Sequence, residues 1–77
     1  VKYLQSIQGH LKREREIDPK RVKPVTRLRA DLGMDSLDCY ELAYAMEEEF
    51  GLLLPDDAVN NCETIADVIA LLERSKS

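Results

Sequence analysis

Residues 31–51 read DLGMDSLDCYELAYAMEEEFG, and the fold turns on how this stretch is parsed. Cys39, Leu42, Ala43, Met46 and Phe50 recur at spacings of three, one, three and four, which sets them along one face of an α-helix. Asp35 stands where an N-cap is wanted, Asp38 favours the positive end of the helix dipole, and Gly51 supplies the stop. Gly33 frees the chain to turn sharply just before the helix. A helix from Ser36 to about Phe50 is expected.

Working outward, Val1, Leu4, Ile7 and Leu11 mark the apolar face of a first helix that ends near Glu16, because Pro19 and Pro24 lack the donors a helix needs. Gly9 weakens that helix by up to about 1 kcal/mol relative to Ala. A basic connector follows, in which Ile17, Val22, Val25 and Leu28 are spaced to pin it to the core. A connector this long is more often functional than not. Beyond Gly51, Pro55, Asp56 and Asp57 can open a short helix carrying Ala58 and Val59. Thr64 and Asp67 have capping-box spacing ahead of a last helix with Ile65, Val68, Ile69 and Leu72 on its apolar face. With no period-two alternation, the expected fold is all-α: a small four-helix bundle, three helices long and one short, with a long loop between the first two. Residues 1–77 are expected to form one domain.

A chain of 77 residues builds only a thin core, burying about 60% of its unfolded surface, and leaves little room for a large catalytic cleft. Its 44% hydrophobic and 34% charged residues fit a globular chain, and no run reaches the roughly 20 apolar residues of a membrane span. No signal-peptide pattern follows Val1, so a cytoplasmic location is expected. Cys39 and Cys62 form no C-x-x-C motif and are expected to be small buried thiols, although their spacing does not exclude a disulfide. His10 is isolated and is expected at the surface.

Charge divides the chain unevenly. Residues 1–29 hold nine Lys or Arg against three Asp or Glu, whereas residues 30–77 hold two against twelve. The two parts are expected to face different environments or partners. The basic part, with Arg13, Arg15, Arg21, Arg27 and Arg29, is also compatible with a nucleic-acid-binding module, a reading that the acidic part opposes.

A serine in the first turn of a helix is a good place for a phosphate ester, since free backbone N–H groups and the dipole stabilise an anion there. Taken alone, a serine at such a position is more often only part of a cap. The full stretch DLGMDSLDCYELAYAMEEEFGLLLPDD, residues 31–57, resembles the acyl carrier proteins of fatty acid synthesis, in the D-L-G-x-D-S-L motif, the E-L and E-E-E-F of the helix, and the P-D that follows. The resemblance implies that Ser36 carries a covalent 4′-phosphopantetheine arm taken from coenzyme A by a separate Mg²⁺-dependent transferase. It also implies the bundle with its long first loop, and a carrier on which partner enzymes act rather than an enzyme. A serine hydrolase is the rival reading of Ser36, but His10 has no evident third group and no G-x-S-x-G elbow is present.

In the resembling family the second helix docks to basic patches on acyl-transferring and chain-elongating enzymes. Here Leu37, Glu41, Tyr44 and Glu48 form a stripe flanked by Asp35, Asp38 and Glu47, and these seven residues are the expected docking set. No nucleic acid, no membrane span, no metal and a monomer are expected. Departures from the family pattern are the basic first part, the absent Met start, and Tyr40 and Tyr44 at positions where smaller side chains are common. Inward rings would fill a cargo pocket, and outward rings would enlarge the docking surface. The same residues are compatible with a carrier of polyketide or aminoacyl units, or with an adaptor that uses the fold for structure alone.

Overall fold

The side chain of Asp35 accepts from the Asp38 backbone N–H, and the Asp38 side chain accepts in return from the Asp35 N–H, so the central helix starts in a capping box. The computed structural model describes residues 2–75. Helix α1 spans Lys2–Arg15, α2 spans Ser36–Phe50 and α3 spans Ile65–Arg74, with a single 3-10 turn at Pro19–Arg21 in the connector. The described residues contain no strand, only an isolated bridge between Arg27 and Thr64.

The apolar stripes meet as their spacing requires. Ile7 and Leu11 of α1, Cys39, Leu42, Ala43 and Met46 of α2, and Ile65, Val68 and Leu72 of α3 are buried in one core, joined by Leu71, whereas Ile69 is only half-buried and packs against its edge. Leu4 and Phe50 pack against its edge, and Val1 lies outside the described residues. At the far end of α2, Gly51 takes the left-handed conformation at φ 64°, and the Leu52 N–H returns to Glu47 O at 3.2 Å.

The connector is part of the core. Ile17, Val22, Leu28, Leu32 and Met34 are all buried. Its carbonyls also complete α3: the first two amides of that helix, on Ile65 and Ala66, donate to Thr26 O at 2.9 Å and Pro24 O at 2.8 Å. These groups have no partner inside a helix, so the connector satisfies what Thr64 and Asp67 leave open. The Gln8 side chain ties α1 to the same loop by donating to Val22 O at 2.9 Å.

Three expectations change. Val25 does not pin the loop; it is 80% exposed, because it occupies the tip of the Lys23–Thr26 turn whose carbonyls on either side face α3. His10 is buried, not at the surface, because α2 packs over it, with Glu41, Tyr44 and Ala45 of that helix beside the ring. Residues 56–61 form linked turns rather than a regular helix, with Ala58 N–H donating to Pro55 O, Asn61 N–H to Asp57 O and Cys62 N–H to Val59 O at 3.0–3.1 Å. That segment still buries Val59 beneath it. The cysteines are both free thiols, Cys39 buried and Cys62 half-buried.

Candidate attachment site and docking face

Ser36 occupies the first position of α2, just after the cap. The approach to it is a turn in which Gly33 sits at φ 67° and its N–H donates to Arg29 O at 3.1 Å, while Met34 is buried and donates to Leu28 O at 3.0 Å. Glycine adopts that backbone without the Cβ clash other residues meet. The buried Met34 and Cys39 on either side leave Asp35, Ser36 and Leu37 as an exposed rim between two anchors.

Because Asp35 performs the capping, the Ser36 hydroxyl is spared. It takes part in none of the side-chain hydrogen bonds among the described residues, which leaves it free to be esterified without uncapping the helix. This fits a phosphate-linked arm: an exposed hydroxyl, in the first turn of a helix, where unpaired amides and the dipole favour a negative group.

The expected docking residues divide into two kinds. Leu37 (63% exposed), Tyr44 (64%), Glu41 and Glu48 stand open along α2. Asp35, Asp38 and Glu47 have internal work. Asp38 is bound by the capping box and by the Arg15 guanidinium, and Glu47 Oε2 accepts from the Leu54 N–H at 2.7 Å to hold the segment after α2. Burial pushes the Asp38 carboxyl upward, yet the Asp35 amide and the Arg15 guanidinium together outweigh it and hold it below its ordinary value.

Tyr40 and Tyr44 both turn outward. The Tyr40 hydroxyl donates to Asp57 Oδ1 at 2.7 Å, bridging α2 to the 56–61 turns beside an open groove of about 520 Å³ that Tyr44, Leu54 and Pro55 also line. His10 faces a second groove, with Glu14, Glu41, Tyr44 and Glu48 around it. Burial lowers the His10 pKa, with Arg13 adding to the effect, against Glu14 and Glu41. Among the described residues no group of three or more His, Cys, Asp or Glu could hold a metal, and no helix is long and apolar enough to cross a membrane.

Sequence reasoning missed Arg15 as a neighbour of the site. The basic first part is also partly spent inside the molecule: Arg15 pairs with Asp38, Arg27 with Glu63 at 3.7 Å, and Arg29 with Asn60. Two arginines of the basic part are thus paired with carboxylates of the acidic part.

Residues 5–72 match the family described as phosphopantetheine attachment site, and the chain belongs to that family, whose members carry covalent 4′-phosphopantetheine. It is 41% identical to the acyl carrier protein of Treponema denticola over 70 residues, covering 91% of this chain and 90% of that one. To the acyl carrier protein of Helicobacter hepaticus it is 36% identical over 73 residues, covering 95% and 96%. The corresponding protein of Bdellovibrio bacteriovorus is 47% identical over 58 residues, covering 75% and 74%. In structure the chain is similar to the apo doublet acyl carrier protein from prodigiosin biosynthesis, with a TM-score of 0.80 at 21% identity. That likeness concerns the fold; it covers 97% of this chain, which spans 36% of the doublet's length.

Proposed function

We propose that this chain is an acyl carrier protein whose Ser36 Oγ forms the phosphodiester to 4′-phosphopantetheine. The arm, once attached, supplies a thiol on which an acyl group is held as a thioester. What the chain itself contributes is presentation: Asp35 and Asp38 keep the helix start wound, Met34 and Cys39 anchor it from both sides, and Ser36 is left outermost. The observation that carries the reading is the division between neighbours, with Asp35 capping and Ser36 free. Acyl carriers of comparable length that match along the chain support it.

The exposed stripe Leu37, Glu41, Tyr44 and Glu48 is the docking face, suited to a basic patch with an apolar contact on the phosphopantetheinyl transferase and on acyl-handling enzymes. Asp35, Asp38 and Glu47 serve that face by shaping it. The turns at 56–61 take the place of the fourth, short helix of the bundle. Fatty acid or related lipid synthesis in the cytoplasm, with the carrier as a monomer, is the setting this reading favours.

Incubation with coenzyme A, Mg²⁺ and a phosphopantetheinyl transferase, followed by intact mass, tests the assignment. One arm is expected on the wild-type chain and none on Ser36→Ala, with helical content retained because the cap is Asp35. An arm on the Ser36→Ala variant would move the site elsewhere.

A further inference from the structure

The last turn of α1 reaches the first turn of α2 through one side chain. The Arg15 guanidinium donates to Asp38 Oδ2, and that same oxygen accepts from the Asp35 N–H at 3.1 Å. Asp38 Oδ2 is thus a junction between the capping box and a helix 23 positions earlier in the chain. The pair is partly shielded, with side-chain exposures of 32% for Arg15 and 17% for Asp38. Such shielding raises it above the open surface pairs that contribute little.

Besides the Arg15 pair, its capping box and the buried Met34 and Cys39 at its flanks, the turn has no other side-chain tie to the rest of the molecule among the described residues. Asp35, Ser36 and Leu37 are exposed, and among the described residues no other side-chain hydrogen bond reaches residues 35–38 from elsewhere in the molecule. The first turn of any helix lacks internal partners for its amides and frays readily. Here a fraying motion would swing the one hydroxyl that must be presented in a fixed direction. A phosphodiester on Ser36 would add a third negative group beside Asp35 and Asp38, so the compensating cation matters more once the arm is in place.

We infer that Arg15 is a positioning residue for the attachment reaction, which holds Asp38 so that the first turn of α2 stays wound and Ser36 faces the modifying enzyme in one orientation. It acts through Asp38 and touches neither the hydroxyl nor the arm. The inference rests on the attachment at Ser36 proposed above.

The experiment compares wild type, Arg15→Gln, Asp38→Asn, the double variant and Arg15→Lys, with rates of arm transfer from coenzyme A and backbone amide exchange at Leu37 and Asp38. Arg15→Gln is expected to lower kcat/KM for loading about three- to tenfold while the domain's melting point changes little. Asp38→Asn should do the same, the double variant should be no worse than the poorer single, and Arg15→Lys should recover part of the loss as a point charge without the guanidinium fork. Exchange at the two amides should quicken in Arg15→Gln. Losses that add in the double variant, or a loss on Arg15→Gln with none on Asp38→Asn, would mean that Arg15 meets the enzyme or phosphate directly and would overturn the inference. A wild-type chain that accepts no arm refutes the attachment reading instead. Unchanged exchange at Leu37 and Asp38 in Arg15→Gln overturns the positioning role whatever the loading result.

Discussion

Tyr40 and Asp57 face each other across the opening between α2 and the turns that follow it, the phenol donating to the carboxylate at 2.7 Å. Tyr40 is one helical turn beyond Ser36, so the clasp lies on the same side of the helix as Ser36. The hydrogen bond to Asp57, reinforced by that residue's charge, raises the Tyr40 pKa above its ordinary value of 10.0. A raised folded-state value means that the phenol's contribution to stability is complete below pH 10 and is lost as pH rises beyond it. Alkaline ultraviolet titration should therefore show a late-ionising tyrosine that is missing from both Tyr40→Phe and Asp57→Asn. An unaltered titration curve in Asp57→Asn would rule out the clasp.

His10 gives a dependence at the opposite end of the scale. Burial holds its folded-state pKa below 6.5, so the neutral ring is the one the α1–α2 seam accommodates. The stability it contributes is complete above pH 6.5 and falls as pH drops through that value toward the lowered one. Urea midpoints measured from about pH 7 downward should decline for the wild type and decline less for His10→Gln. Parallel curves for the two would show that the ring is not what titrates.

Glu16 is the one non-glycine residue with a positive φ among those described, at 54°, where it turns the chain out of α1 and donates its N–H to Lys12 O at 3.0 Å. A side chain in this conformation costs about 1 kcal/mol, and a carboxylate at a helix C-terminus adds a small dipole penalty. Glu16→Gly should accordingly raise the stability by roughly 0.5–1 kcal/mol in denaturant unfolding, with the slope unchanged. A loss of stability would mean that the acidic side chain makes a favourable contact there.

Charge reversal on the open stripe separates docking from folding. Glu41→Lys and Glu48→Lys should raise the KM for loading by the transferase several-fold at low salt, leave kcat nearly alone, and alter stability by less than about 0.5 kcal/mol. The penalty should fade as salt is added. A KM untouched by both substitutions at low ionic strength would remove these residues from the interface.

What the sequence made legible is what depends on residues a few places apart. The α2 stripe, the Asp35 cap, the Thr64 and Asp67 capping box and the Gly51 stop are set by residues close in sequence and are found as read, while the reciprocal bond from the Asp38 side chain to the Asp35 amide adds to that reading. The contacts that finish the site span longer stretches of chain. Arg15 and Asp38 are 23 positions apart, Tyr40 and Asp57 are 17, and the Ser6 hydroxyl donates to Glu49 across 43. Nothing local marks such partners, since each depends on where a second helix comes to rest. The burial of His10 escapes a local reading for that reason, being decided by α2 packing over it. Val25 departs from expectation differently, because its place in a run of spaced apolar residues gives no hint that its neighbours' carbonyls are claimed by α3.

Those two carbonyls, on Pro24 and Thr26, make the beginning of α3 dependent on a loop some forty residues upstream. An opened loop would strip the last helix of its first two acceptors and uncover Ile65 beneath them. Loop and helix should consequently melt as one cooperative block, with no stage at which one is loose and the other intact. Protein engineers who lengthen this loop, or cut the chain there to make a circular permutant, would therefore be dismantling the carboxyl-terminal helix at the same time.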